Sequence, residues 1–128
     1  MKRLLLDTHV LIWWLANDME LGPEAKAMIA EPRNVIAVSA ASTWEISIKR
    51  ALGKLVVPEN MDAIVEDEGF IKLPISLFHG EQAGSLPAYH RDPFDRMLIA
   101  QAQAEGLEIV TGDAKFAQCG IKCIDAGK

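Results

Sequence analysis

Cysteine is scarce in this chain: Cys119 and Cys123 are the only two in 128 residues. One C-x3-C pair with no second pair nearby excludes a disulfide scaffold and a paired-cysteine metal knuckle, and is read as reduced thiols. Long hydrophobic runs are lacking too. The opening KRLLLDTHVLIWWL is broken by Asp7 and His9, so no stretch reaches the ~18 apolar residues that span a bilayer. Its basic start is like that of a signal peptide, but no small-residue cleavage pattern follows. Positive charge is in deficit, with 13 Lys and Arg against 18 Asp and Glu, a net charge of -5 and a pI near 5.1. Indiscriminate polyanion binding is disfavoured, although a local patch or a bound cation can reverse the field of a cleft. Repeats, low-complexity tracts and linkers are also missing. These absences predict a single cytoplasmic domain over residues 1–128 with no membrane contact.

What is present is an ordinary globular mixture, 50% hydrophobic and 24% charged, enough for a sizeable core. Short apolar runs alternate with helical patterns. RLLL, NVIAV, FIKLPI, LEIV and IKCID read as strands; the first is continuous and apolar, as a strand buried on both faces should be. Between them, helices are predicted after Asp7, over LGPEAKAMIAE, over SAASTWEISIKRALG with Ser39 or Ser42 as cap and Gly53 past its end, over PENMDAIVEDEG from near Pro58 to Gly69, and over SLFHGEQAGSL. The clearest is DPFDRMLIAQAQAEG: Asp92 at the N-cap, Pro93 at the first helical position, Gly106 as terminator. TGDAKFAQCG reads as a turn and short helix. Strands alternating with helices imply an α/β fold, a mostly parallel sheet with helices on both faces.

This reading gives the acids a common address. Asp7 falls just past the first strand, Glu45 in the second turn of the helix leaving NVIAV, and Asp113 just past LEIV. In a parallel sheet those strand ends share one edge, where ligand sites form. Asp92 and Asp95 are three apart on a helix that can start at the same edge. Two carboxylates about 4 Å apart repel by roughly 4 kcal/mol at an effective dielectric near 20, so such a group takes up protons or a cation. Oxygen-only ligands suit Mg²⁺, with Mn²⁺ as a substitute, and a metal so held serves phosphodiester hydrolysis. Each acid also has a plain structural role open to it. Asp7, Asp92 and Asp113 sit where helix caps belong, Asp95 where acids suit the dipole, and Glu45 can pair with Lys49 at i,i+4 on a solvated face.

The segments LLLDTHVLIWWL, SAASTWEISIKRALGKL, HRDPFDRMLIAQAQAEG and IVTGDAKF, in this order, resemble the PIN-domain ribonucleases of the toxin type encoded beside an antitoxin (VapC-like). The resemblance spans most of the chain. It implies a three-layer α/β/α sandwich, Mg²⁺-dependent endonucleolytic cleavage of RNA leaving a 3′-hydroxyl and a 5′-phosphate, a cognate antitoxin, and a homodimer. By position it makes Asp7, Glu45, Asp95 and Asp113 the catalytic, metal-holding acids, and places the Thr111 hydroxyl near the metal. Asp92 is then an outer acid or a cap. Arg91, Arg96, Lys49 and Arg50 lie beside the acids as contacts for the RNA backbone or as solvated charge.

His9 and His90 lack a nucleophile partner and are read as local hydrogen-bonding or exposed groups; His79 is given no role. Trp13 and Trp14 lie on a helix apolar nearly all round, so they belong to the core or to a partner-covered face. Trp44 is expected in the core. Two other functions fit an acid-lined sheet edge less well. A dehalogenase-type phosphatase wants an acid two residues after the first, where His9 stands. A receiver-like phosphotransfer domain wants one after a central strand, where Ser39 follows NVIAV. A non-enzymatic interaction module would make every acid a cap or surface charge, with no response to divalent ions.

Overall fold

The computed structural model describes residues 1–87 and 91–128 and, within them, every side chain except those of residues 118 and 119. The expectations for His90 and for the thiol of Cys119 therefore lie outside the described residues. Five strands are present: β1 (Arg3–Leu6), β2 (Val35–Ser39), β3 (Ile71–Leu73), β4 (Glu108–Thr111) and β5 (Cys123–Asp125). Six α-helices join them: α1 (Thr8–Ala16), α2 (Pro23–Ala30), α3 (Ala40–Ala51), α4 (Met61–Asp67), α5 (Leu77–Ser85) and α6 (Pro93–Glu105), with a 3-10 helix over Ala114–Cys119. The spatial order is β3-β2-β1-β4-β5. All four pairings are parallel, so the sheet is wholly rather than mostly parallel.

Strand alternation divides the core into two layers. Leu4, Leu6, Ile36, Val38 and Val110 face one side, packed with Val10 and Leu11 of α1, Ala25 and Ile29 of α2, and Met61 and Val65 of α4. Leu5, Ala37 and Ile109 face the other, packed with Ala41 of α3 and Leu98, Ile99 and Ala102 of α6. Leu4, Leu5 and Leu6 are all fully buried, which is why β1 reads as an unbroken apolar run rather than an alternating one. The result is the α/β/α sandwich expected.

Local signals set the helix ends. Ser39, not Ser42, caps α3 by accepting from the Ala41 N–H, and Gly53 follows at φ +73 after that helix stops. Gly106 closes α6 at φ +67, a left-handed conformation that glycine adopts without a Cβ penalty. One boundary differs from expectation: α4 starts at Met61 behind Asn60, itself left-handed at φ 60, so Pro58 lies in the loop before it. Among the described residues no helix is long and apolar enough to cross a membrane.

Candidate metal centre

β1 is central, and the chain places β2 on one side of it and β4 on the other. The strand order reverses at this point, where open parallel sheets place ligand sites beyond the carboxyl ends of the strands. Register brings Leu6 level with Val110, and the Asp7 N–H extends the ladder by donating to the Val110 carbonyl at 3.1 Å. Asp7 and Thr111 are then side by side. The Thr111 hydroxyl donates to Asp7 Oδ2, while Asp7 Oδ1 accepts from the Val10 N–H at 2.8 Å and caps α1. Capping and site membership are therefore not alternatives here: one oxygen starts the helix and the other faces Thr111. Thr111 also accepts from the Asp113 N–H at 3.0 Å, and Asp113 in turn caps the 3-10 helix through the Lys115 N–H.

Glu45 reaches the same neighbourhood from α3. It is only 4% exposed, so the solvated face expected for it is wrong, although the i,i+4 partner is right: Lys49 Nζ lies 2.8 Å from Glu45 Oε2. The buried arc of α3 runs through Ala41, Ser42, Glu45 and Ile46, and Lys49 falls within it. α6 delivers Asp95 at its third position. Asp92 is the N-cap as expected, accepting from the Phe94 and Asp95 N–H groups.

Electrostatics joins these side chains. Burial pushes the Asp95 carboxyl up from its ordinary value to about 7, reinforced by the negative charges of Asp92, Glu45, Asp7 and Asp113. Asp7 is raised as well, chiefly by desolvation, against the opposing hydrogen bonds from Thr111 and Val10. Lys49 is held above its usual range by its bond to Glu45, with Asp92 and Asp95 adding attraction. The structure thus brings Asp7, Glu45, Asp92, Asp95 and Asp113 into one electrostatic neighbourhood. Among the described residues no three Asp, Glu, His or Cys side chains form a closed metal cluster. Asp7, Asp92 and Asp113 bind backbone N–H groups and Glu45 binds Lys49. The donor set nonetheless suits a hard divalent cation: the side chains on offer are all oxygen donors, and burial among other carboxylates makes Asp95 resist ionisation.

Several neighbours differ from expectation. Arg96 is not a solvent-facing cation for phosphates. Its guanidinium donates to the carbonyls of Ala83 and Leu86 at 2.8 Å and of Pro87 at 3.1 Å, closing the carboxyl end of α5. Arg50 reaches the Pro58 carbonyl. Trp44 is exposed rather than in the core, because it falls outside the buried arc of α3. Trp13 and Trp14 do pack on the core, and Trp13 lies over Gly112, where an added Cβ would sit 3.4 Å from the ring. His9 is exposed beside Trp13. His79, given no role, is buried: its Nδ1 accepts from the Ser76 N–H and its Nε2 faces Glu105. The Ser76-to-His79 spacing of a capping box carried that signal. The Thr8 hydroxyl's bond to Ser42, which ties α1 to α3, had no signal in sequence.

Strand order and layers define a small doubly wound α/β domain with an acid-lined switch point. The PIN-domain family matches residues 4–122, and the chain belongs to that family. It is 29% identical over 121 residues, 91% of each chain, to Ribonuclease VapC22 of Mycobacterium tuberculosis. A shorter match, 48% over 44 residues, covers 34% of this chain and 31% of Ribonuclease VapC16 from the same organism. Among solved structures, VapBC2 from Rickettsia felis bound to a DNA fragment from its promoter superposes with a TM-score of 0.70 at 14% identity, covering 96% of this chain and 98% of that one. A toxin-antitoxin complex from Klebsiella pneumoniae gives 0.60 at 26% identity, covering 88% and 89%.

Proposed function

We propose that this chain is a divalent-metal-dependent endoribonuclease acting in the cytoplasm as the toxin of a toxin-antitoxin pair, with residues 1–128 forming one catalytic domain that works as a homodimer. The observation that carries this reading is the gathering of Asp7, Glu45, Asp92, Asp95 and Asp113 into one neighbourhood of a PIN-family fold. Relatives named as ribonucleases and a structural neighbour named as a toxin-antitoxin complex support RNA as substrate and an antitoxin as partner. Membership of the PIN-domain family disfavours the phosphatase-like and receiver-like alternatives.

Asp7, Glu45 and Asp95 are the residues that would hold the ion, Mg²⁺ by ligand preference, with Asp113 completing the set. When bound, it supplies positive charge for the scissile phosphate and acidifies a water. The remaining chemistry lies in the chain. The Thr111 hydroxyl and the Val10 N–H fix both oxygens of Asp7, so its carboxylate is oriented before any ligand arrives. Lys49 Nζ lies 2.8 Å from the buried Glu45 carboxyl and orients it. Asp95 is positioned by its helix start, itself fixed by Asp92. The hydrolysis adds water across the phosphodiester in line, breaks the bond to the 3′ oxygen, and leaves a 3′-hydroxyl and a 5′-phosphate.

The test incubates the purified chain with mixed RNA in Mg²⁺ and again with a chelator. Cleavage that stops on chelation and is absent from Asp7→Asn supports the reading. Equal cleavage in both media overturns it. The absence of cleavage, together with thermal melts unchanged by Mg²⁺ or Mn²⁺, would return the chain to a non-enzymatic interaction module.

A further inference from the structure

The switch-point acids account for hydrolysis but not for grip on the substrate. Of the cations near them, four are engaged, while Arg91 beside Asp92 and Lys115 beyond Asp113 are exposed. Lys49 is on Glu45, Arg96 is on the carbonyls that end α5, Arg50 reaches Pro58, and Lys72 sits between Asp62 and Glu66. With a net charge of -5, phosphate attraction is a weak source of affinity here. An uncharged contact would add grip that net charge opposes.

Between α3 and the α5–α6 pair lies a mostly apolar cavity of about 270 Å³, lined by Trp44, Ile75, Ala83, Phe94 and Met97 and by Arg96, whose guanidinium is held on backbone carbonyls. Trp44 is 61% exposed, the most solvent-accessible tryptophan of the chain. Phe94 meets it edge-on, ring centroids 5.2 Å apart at 73°. That contact uses the edge of one ring, so the pair is braced without being stacked on itself. Trp44 directly precedes Glu45 on α3 and Phe94 directly precedes Asp95 on α6. The aromatic pair and the acids are therefore carried on adjacent faces of the same two helices.

We propose that this aromatic cavity takes one unpaired base of the RNA substrate, stacked on Trp44, and so sets the strand over the acids. The proposal rests on the ribonuclease reading above. Stacking on an aromatic ring is indifferent to net charge and tolerant of base identity, which suits an acidic protein. A pocket of this size holds a single planar group, not the face of a helix. It also commits the substrate to single-stranded RNA, because a paired base cannot reach the ring without leaving its stack.

The experiment measures kcat and KM on a short single-stranded RNA in Mg²⁺ for the full chain, Trp44→Ala and Trp44→Phe, with melts to confirm folding. The same RNA is also used with single abasic positions stepped around the cleavage site. Trp44→Ala should raise KM about tenfold, the usual scale for one base on one ring, with kcat changed less than about threefold. Trp44→Phe should recover most of the loss. One abasic position should cost wild type a similar factor and cost Trp44→Ala nothing further. A KM within twofold of wild type for Trp44→Ala, or an abasic penalty undiminished in it, overturns the proposal and leaves the ribonuclease reading standing. Unchanged KM with lost binding of a cognate protein partner also overturns it and assigns the groove to that partner. If wild type itself cleaves no RNA, the underlying reading has failed and this one with it.

Discussion

Two of the buried polar clusters among the described residues are built to opposite rules. One runs from Ser39 through Gln101 to His79 and Glu105. The Ser39 hydroxyl donates to Gln101 Oε1 and accepts from the Ala41 N–H. The Gln101 amide donates to the Pro74 carbonyl at 3.2 Å. His79 accepts from Ser76 on one nitrogen and faces Glu105 on the other at 2.9 Å. Each donor is matched by an acceptor, and charge appears only at the half-exposed Glu105 end. The other cluster, around Asp7 and Asp95, is equally well hydrogen-bonded but electrically unbalanced: five carboxylates are answered only in part by Lys49 and His9. Closed polar networks fix a fold. A network whose bonds are made but whose charge is not balanced favours the approach of a cation.

The sharpest way to break the contrast is to remove charge without removing shape. Asp7→Asn and Asp95→Asn should each lower cleavage on the order of a thousandfold, the scale of losing a positioned electrostatic group in a catalytic site. Asp95→Asn should fold at least as stably as wild type, because a carboxylate that resists ionisation beside four others is replaced by a neutral amide. Gel cleavage assays paired with thermal melts check both halves. A variant that cleaves at the wild-type rate would place the reaction elsewhere.

Supplying the missing charge is the converse. The Asp95 carboxyl is raised from 3.8 in the unfolded chain to about 7 in the fold, so between those values the folded state binds the extra proton. Metal-free stability should therefore fall as pH rises from about 4 to 7. Mg²⁺ should raise the midpoint, by about 2.7 kcal/mol equivalent at a hundred times its Kd, and more at pH 7.5 than at pH 5.5, where Asp95 must first lose its proton. Calorimetry across that range with and without Mg²⁺ measures the slope. Asp95→Asn should flatten it. A metal response independent of pH would separate Asp95 from the ion.

The closed network should answer in the opposite currency. Gln101→Leu leaves the buried Ser39 hydroxyl short of its acceptor, at a cost of about 2 kcal/mol, several degrees of Tm for a chain this size. Cleavage below the melting range should stay within about threefold of wild type. Loss of activity at unchanged Tm would mean that the two clusters act as one.

Much of this was legible beforehand because it lies on the chemistry of short segments. The buried strand RLLL, the Asp92-Pro93 start of α6 and the Gly106 stop each carry their own signal, and strand alternation with helices implies the shared edge where Asp7 and Asp113 fall. The sites of misreading depended on partners remote in the chain. Arg96 looked like a phosphate contact because sequence shows its neighbours Asp92 and Asp95, not the carbonyls of α5 that occupy it. Trp44 looked like core because hydrophobicity reports a preference, whereas its exposure follows from which arc of α3 meets the sheet. Gln101 gave no hint at all: a buried glutamine is intelligible only once Ser39, Pro74 and His79 surround it.

The finest test of the contrast is Lys49, the counter-charge that the chain itself attaches to the acidic cluster. It sits 2.8 Å from Glu45 and feels Asp92 and Asp95, so it occupies part of the field that a divalent ion would use. Lys49→Met keeps the length of the side chain and removes the charge. Glu45 then stays buried without its partner, and the metal-free protein should melt slightly lower. Mg²⁺ affinity should rise a few-fold by isothermal titration, since like-charge repulsion at the site is relieved. If affinity falls instead, Lys49 supports the metal-holding geometry of Glu45 rather than competing for it. The acid cluster would then be closer in kind to the self-satisfied network on the other side of α3 than its charge suggests.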